Sequence, residues 1–199
     1  MYFFLRGVIC VIFLLITLFG INKSKIKNKQ RVMRGCLIGF GVLYILLGFL
    51  PLESIFFRFD SPTSAYEYRN PDAEAMLVVE GDESAFVIGQ RDETELIMMV
   101  PKENGKWLVG AGSEFNTVAY RFNGEVTIYI RQCKKTNDYY ISVSEVTGKE
   151  IHIVDSKNTE FVSLRRETDL FTKYYAFIPD YDENYWITVD GEQIELRKQ

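Results

Sequence analysis

The sequence predicts a membrane-anchored α+β protein: a two-helix transmembrane hairpin followed by a mainly antiparallel β domain, a sandwich or partly open barrel, with one short helix. Three observations lead to this prediction. Two long apolar runs flank a basic segment near the N-terminus, the 199-residue chain then becomes acidic, and its remainder consists of short strand-like segments separated by turn dipeptides. The predicted domains are residues 1–59 and residues 60–199.

The two apolar runs approach the length of membrane spans. Residues 2–21 carry one charge, Arg6, and residues 35–52 carry none, whereas a bilayer core requires roughly 20 apolar residues. The loop between them, residues 22–34, is basic and contains no acidic residue, and such loops stay in the cytoplasm. We therefore expect a multi-pass protein of a bacterial cytoplasmic membrane, in contact with the lipid bilayer and with both termini outside. The topology determinants are Lys23, Lys25, Lys27, Lys29, Arg31 and Arg34.

Glycines in the second run indicate a helix-packing face. Gly35 and Gly39 form a GxxxG pattern and Gly48 extends it, and small residues of this kind let another helix approach closely. Because the connection between the two runs is short, we expect this face to pack against the first run. Self-association is the alternative that is not favoured.

Charge separates the two predicted domains. Residues 60–199 contain 26 Asp and Glu against 15 Lys and Arg, whereas residues 1–59 contain 8 basic residues and 1 acidic residue. An acidic domain repels nucleic-acid phosphates, so nucleic acid is excluded as a partner. Cationic peptides and basic protein surfaces are permitted, although negative charge also serves solubility.

The elements of the acidic domain follow from its turn residues. Ser61 and Pro62 predict the start of a short helix, which Asn70-Pro71 ends. Eleven strands follow, and alternation is clearest where Val126, Ile128 and Ile130 share one face. The predicted strands are Met76–Glu80, Ser84–Arg91, Thr94–Pro101, Lys106–Gly110, Glu125–Gln132, Asp138–Glu145, Glu150–Val154, Glu160–Leu164, Lys173–Ile178, Tyr185–Val189 and Gln193–Leu196. Hairpin turns are predicted at Asn123-Gly124, Thr147-Gly148 and Asp190-Gly191.

The sequence indicates no enzyme, cofactor or metal site. His152 is the only histidine, and its place between two isoleucines predicts the solvent face of a strand. No serine lies in a nucleophile-elbow sequence, and Cys133 is predicted to be a small core residue. Paired carboxylates are too numerous to be specific for acid–base catalysis.

The spacing of three oxygen-bearing residues near position 182 is compared with that of a calcium-binding loop. Asp180, Asp182 and Asn184 have the alternate spacing that begins such a loop. Tyr185 stands where glycine is required, and Gly191 stands where a bidentate Glu is required. The segment is therefore predicted to be a hairpin turn.

Aromatic residues crowd the last third of the chain. Tyr139, Tyr174, Tyr181 and Tyr185 form a candidate aromatic binding surface, because tyrosines supply contact area at low entropic cost. The alternative is that sheet propensity and core filling account for them.

Several short segments resemble membrane-anchored or exported proteins of low-GC Gram-positive bacteria. These segments are residues 61–66, Glu80-Gly81, residues 84–88 and residues 189–194. The resemblance implies a small β-rich domain of the cell envelope. It brings no established catalytic residues or ligand with it.

The leading hypothesis is a non-enzymatic bacterial membrane protein. It would present its acidic β-rich domain outside the cytoplasmic membrane to a membrane-proximal protein, peptide or cell-wall component. The alternative is an accessory subunit of a transporter or sensor complex that acts through its transmembrane helices. A cell-wall-active enzyme is the third hypothesis.

Overall fold

The computed structural model describes residues 2–23, 28–49, 57–109, 115–122, 124–165 and 171–198. The chain divides into two compact units, Met1–Phe57 and Arg58–Gln199. The first unit is helical, and the second consists mainly of antiparallel strands.

The first unit contains helices α1 (Tyr2–Lys23) and α2 (Lys29–Phe49). Lys29 Nζ donates a hydrogen bond to the Asn22 carbonyl at 2.8 Å. A Cβ atom added at Gly35 or Gly39 would meet no heavy atom of the described residues within 4 Å, so among those residues no neighbouring helix approaches either glycine closely. Their role in helix packing stays a prediction. Lys25 and Lys27 lie outside the described residues, and so do the surroundings of Gly48.

The predicted transmembrane hairpin is wrong. Within the described residues, neither long helix has the length and apolar character that crossing a membrane requires. The physical reason is charge: α1 contains Arg6 and Lys23, and α2 already begins at Lys29 and includes Arg34. At 1.5 Å per residue, the uncharged part of each helix spans roughly 22–24 Å, whereas the bilayer core is roughly 30 Å thick. The predicted multi-pass localisation, with both termini outside, is corrected by the same finding.

The second unit begins with helix α3 (Pro62–Arg69), in the position that the sequence predicts. Ser61 caps it, because its Oγ accepts the N–H of Ser64 at 3.1 Å. At the other end, the Asn70 N–H bonds to the Tyr66 carbonyl at 2.9 Å, and Pro71 prevents another turn. Tyr66 is fully buried and fixes the helix on the first sheet.

The first sheet contains β1 (Glu74–Glu80), β2 (Ser84–Arg91), β3 (Thr94–Glu103) and β4 (Lys106–Trp107), antiparallel and in that order. Strand β2 is buried on both faces. Ala85 and Val87 pack in the cluster that contains α3, and Phe86 and Ile88 pack against the second sheet. This central position explains why β2 is almost continuously apolar.

The second and third sheets form the rest of the unit. The second sheet contains β5 (Phe115–Phe122), β6 (Val126–Cys133), β7 (Tyr139–Glu145), β9 (Val162–Leu164), β10 (Thr172–Ile178) and β13 (Arg197–Lys198), in the order β13-β5-β6-β7-β10-β9. The third sheet contains β8 (Ile153–Asp155), β11 (Ile187–Val189) and β12 (Glu192–Ile194), in the order β12-β11-β8.

The second sheet is covered on both faces. Tyr140 and Tyr175 meet Phe86 of the first sheet, with ring centroids 5.5 and 6.0 Å apart. On the other face, Ile128 and Ile141 pack with Ile187 of the third sheet. The described residues of this unit therefore form a stack of one helix and three sheets, held together by three apolar clusters.

Polar side chains also cross between the first two sheets. The Arg131 guanidinium of β6 lies 5.9 Å from the centre of the Phe86 ring of β2, and it also donates to Ser142 Oγ of the adjacent β7 at 2.8 Å. Lys173 of β10 pairs with Glu95 of β3, and their side chains are only 15% and 18% exposed. These contacts fix the two sheets laterally as well as face to face.

Most predicted strands are present, with ends that differ by a few residues. The predicted Ser84–Arg91 has the same bounds as β2, whereas the predicted Glu150–Val154 is observed as Ile153–Asp155. The sequence did not predict β5 or β13. At the β11–β12 turn, Asp190 and Gly191 have φ values of 51° and 83°, as a two-residue type I′ hairpin requires.

Candidate functional site

Three loops meet at one end of the sheets and enclose a groove of about 530 Å³. These loops are the β1–β2, β6–β7 and β10–β11 connections. We call this cavity the tyrosine groove. Its lining residues are Asp82, Glu83, Asn137, Asp138, Tyr139, Phe177, Asp180 and Tyr181.

Two of the predicted surface tyrosines lie in the groove. The rings of Tyr139 and Tyr181 are 4.7 Å apart, and the Tyr181 ring is 5.4 Å from that of Tyr185. Tyr185 is buried behind them, and its hydroxyl donates to Asp155 Oδ2 at 2.8 Å. The three rings form a ladder whose outer members face the groove and whose inner member is anchored in the core.

Tyr174 does not belong to this ladder. Its hydroxyl accepts the backbone N–H of Ile151 at 3.4 Å, and its ring packs against the cluster between the second and third sheets. The four predicted tyrosines therefore have three different surroundings. Tyr139 and Tyr181 line the groove, Tyr185 is buried behind them, and Tyr174 packs at the edge of the cluster between the second and third sheets.

A buried hydrogen-bond network forms the floor of the groove. Ser84 Oγ donates to Asp138 Oδ2 at 2.7 Å and lies 2.8 Å from the Tyr140 hydroxyl. The backbone N–H of Glu83 also donates to Asp138 Oδ2, at 2.9 Å. Burial raises the pKa of the Tyr140 hydroxyl well above its ordinary value, which keeps it a neutral donor or acceptor. The network joins the β1–β2 loop to the β6–β7 loop and so fixes one carboxylate at the base of the groove.

Gly81 permits this close packing. A Cβ atom at position 81 would lie 2.6 Å from the Tyr140 hydroxyl oxygen, 2.7 Å from Asp138 Oδ2 and 2.9 Å from Phe177 Cδ2. These distances are shorter than van der Waals contact, so only glycine allows the loop to approach the network.

The groove is strongly anionic. Four carboxylic residues line it, and none of the described residues that line it is basic. Burial, with Tyr139 and Asp182 nearby, raises the pKa of the Tyr181 hydroxyl, so its ring is neutral at physiological pH. Neutral aromatic faces beside carboxylates favour cations, because ring quadrupole and negative charge act in the same direction. The arrangement can hold an ammonium or guanidinium group.

A second cleft, of about 580 Å³, lies beside β1 and the β2–β3 turn. Asp72, Glu74 and Asp92 line it together with Met76, and none of the described residues that line it is aromatic. The tyrosine groove is the better candidate because it combines anionic and aromatic groups on a hydrogen-bonded floor.

The remaining residues considered for chemistry have structural surroundings. His152 is exposed, and its backbone N–H donates to Asp190 Oδ1 at 2.7 Å. Cys133 is fully buried, as predicted. Asp182 accepts the Asn184 N–H and pairs with Lys157, both at 2.7 Å, so its oxygens hold a turn. In the part of the chain that the structure describes, no group of three or more His, Cys, Asp or Glu is placed to hold a metal ion.

Sequence reasoning missed the floor of the groove. Ser84, Asp138 and Tyr140 carry no motif, and only the fold brings them together. A usable observation was the alternation of β7, which places Tyr140 opposite Tyr139 and so predicts that one ring is buried when the other is exposed. Comparison of the chain with family models, curated proteins and solved structures finds no match.

Proposed function

We propose that the second unit is a non-enzymatic binding domain that holds a cationic peptide segment in the tyrosine groove. One observation carries the proposal: the paired rings of Tyr139 and Tyr181, 4.7 Å apart, share a cavity with four carboxylic residues. A lysine or arginine side chain placed there would meet aromatic faces and negative charge at once.

The surroundings of the groove support a preformed site. Asp138 is 4% exposed and is held by Ser84 and by the Glu83 N–H, so its carboxylate needs little reorganisation when a cation arrives. The ring ladder is anchored through Tyr185. Preorganised groups of this kind lower the entropic cost of binding.

Charge on the whole domain supports the same class of partner. Residues 60–199 carry 26 acidic and 15 basic residues, and such an excess attracts basic segments over a distance set by ionic strength. The long-range field would increase the rate of encounter, and the groove would select segments that present a cation.

The test uses the full-length protein and a fluorescein-labelled peptide of four Lys-Gly repeats, with four Glu-Gly repeats as the negative control. Fluorescence anisotropy gives the affinity at low and high salt. We expect the lysine peptide to bind and the glutamate peptide not to bind. Tyr181→Ala should weaken lysine-peptide binding by roughly three- to tenfold, as a cation–π contact of about 1 kcal/mol predicts.

Two matched variants separate the groove from general charge and exposed aromatic surface. Glu195→Gln removes an exposed carboxylate outside the groove, and Trp186→Ala removes a tryptophan that is 41% exposed. Asp180→Asn should weaken binding more than Glu195→Gln, and Tyr181→Ala should weaken it more than Trp186→Ala. Equal effects within each pair would show that the peptide binds by charge alone, and the proposal would then be abandoned.

A further inference from the structure

A third, smaller cavity lies at the other end of β7 from the tyrosine groove. Tyr139 begins this strand and lines the tyrosine groove, whereas Glu145 ends it and lines a cavity of about 140 Å³. We call this the Glu145 cavity. Its walls come from the start of β6, the loop after β7 and the β11–β12 hairpin.

Glu145 is the unusual residue of this cavity. It is 2% exposed, and its Oε1 accepts the backbone N–H of Thr147 at 2.5 Å and the Thr147 hydroxyl. Its Oε2 is buried and accepts no hydrogen bond of normal geometry from any described residue. A buried acceptor on a charged group without a partner costs free energy, so the second oxygen is poised for a donor that the described chain does not supply.

The loop keeps Glu145 ionised in spite of its burial. Burial acts to raise the pKa of this carboxyl, but the Thr147 hydroxyl and N–H, which donate to Oε1, together with the nearby N–H groups of Gly148 and Lys149 outweigh it and hold the pKa below its ordinary value. At neutral pH the cavity therefore contains a carboxylate, not a carboxylic acid. An anion that is held in this way attracts a cation.

The other walls of the cavity define the shape and charge of a ligand that would fit it. Glu125, Asp190 and Glu192 add negative charge, against one basic residue, Lys149. Aliphatic side chains, among them Val126 and Ile194, supply the rest of the lining. A cavity lined by both carboxylates and aliphatic side chains suits an unbranched hydrocarbon chain with a charged nitrogen.

We propose that the Glu145 cavity binds a primary alkylammonium group, with the ammonium donating to Glu145 Oε2 and the methylene chain lying against the aliphatic wall. Volume supports this ligand, since about 140 Å³ corresponds to roughly five water molecules, close to the size of a four-carbon amine. No group of three described carboxylic residues is placed to hold a metal ion, which favours an organic cation. The cavity and the tyrosine groove share no lining residue, so this site is independent of the proposed function.

Isothermal titration of the full-length protein with butylamine tests whether a primary alkylammonium group binds, and 1-butanol is the uncharged control. We expect butylamine to bind and 1-butanol not to bind. Two further ligands distinguish the sources of the ammonium: 1,4-diaminobutane represents a free diamine, and Nα-acetyl-lysine amide represents a peptide side chain. Tighter binding of one of these two ligands identifies a free diamine or a lysine side chain as the natural source of the ammonium group. Equal binding of both supports recognition of the alkylammonium group alone.

Glu145→Gln keeps the shape of the side chain and removes its charge. We expect it to weaken butylamine binding by about tenfold, as loss of a charge-assisted hydrogen bond predicts. Glu195→Gln, an exposed change outside the cavity, should leave the affinity unchanged.

If circular dichroism shows that Glu145→Gln does not fold, Glu192→Gln on the exposed edge of β12 takes its place, with an expected weakening of about threefold. Absence of butylamine binding to the wild type would overturn the proposal. Unchanged affinity in whichever of these two variants folds would overturn it as well.

Discussion

Gly81→Ala should destabilise the second unit by an amount that the structure allows us to work out. The added methyl group would lie 2.6–2.9 Å from three atoms, the Tyr140 hydroxyl oxygen, Asp138 Oδ2 and Phe177 Cδ2. The two oxygens cannot swing away freely, because Ser84 Oγ is hydrogen-bonded to both of them, at 2.7 and 2.8 Å. The neighbours must therefore move by several tenths of an ångström.

The expected cost has two parts. Overpacking of a tight site costs about 1–3 kcal/mol, and a weakened buried hydrogen bond adds about 1 kcal/mol. We expect a loss of about 2–4 kcal/mol in the free energy of unfolding. With a urea dependence of roughly 2 kcal/mol per molar, the midpoint should fall by about 1–2 M.

Urea unfolding followed by tryptophan fluorescence measures this change in the relevant unit, because Trp107 and Trp186 are the only tryptophans of the chain and both lie in the second unit. Gly105→Ala is the matched control: that glycine has a φ of 74° but open space around it, so the substitution introduces strain without a clash and should cost only about 1 kcal/mol.

A double-mutant cycle makes the reasoning refutable. Tyr140→Phe removes the oxygen that lies closest to the added methyl group. In the Tyr140→Phe background, Gly81→Ala should lower the free energy of unfolding by about 1 kcal/mol less than it does in the wild type. A Gly81→Ala protein as stable as the wild type, or a cycle that is additive, would show that the contact distances at this loop do not limit stability.

Two other predictions concern pH and the contact between the first two sheets. Burial raises the pKa of the Tyr140 and Tyr185 hydroxyls above the ordinary value of 10.0, so the unfolded chain ionises first. The contribution of these two hydroxyls to stability should therefore be fully present below about pH 10 and be lost above it. Urea midpoints measured from pH 8 to pH 11 should fall less steeply for Tyr185→Phe than for the wild type, and an unchanged slope would contradict this prediction. Glu95→Gln removes one partner of the largely buried ion pair with Lys173, so it should lower the free energy of unfolding by about 1–2 kcal/mol. Asp60→Asn, in an exposed ion pair, is the control and should leave the urea midpoint unchanged. Equal midpoints for the two variants would contradict this prediction.

Local residue chemistry predicted the elements of the second unit where turns are sharp. Strand β2 has its predicted bounds because Gly81-Asp82 and Asp92-Glu93 both enforce turns, and Asp92 adopts a φ of 52°. Strand β5 was missed because a bulge between Thr117 and Ala119 shifts its register, so alternation on one side of the bulge contradicts alternation on the other.

The error in the first unit has a different origin. Apolar run length is counted along the sequence, but α2 begins at Lys29, inside the segment predicted to be a loop. Helix continuity thus brings Arg31 and Arg34 into the same element as the apolar residues, which run length alone cannot anticipate.

The candidate sites were predictable only in part, for a reason that lies in sheet order. Composition drew attention to Tyr139 and Tyr181, but their 4.7 Å contact joins a strand to a loop that follows another strand. Sequence spacing carries no information about such a pairing. The floor residues Ser84 and Asp138 come from different sheets, so their meeting depends on how the sheets stack.

Strand β7 links the two proposed sites and also explains why they act separately. Its alternation places Tyr139, Ile141, Val143 and Glu145 on one face, so the sequence does contain a carboxylate on an apolar face. That placement is tolerated because the following loop donates hydrogen bonds to it. At about 3.4 Å per residue the two ends of β7 lie roughly 20 Å apart, farther than a single lysine side chain reaches. A cation held in the tyrosine groove therefore cannot reach the Glu145 carboxylate, and the two proposed sites require separate cationic groups.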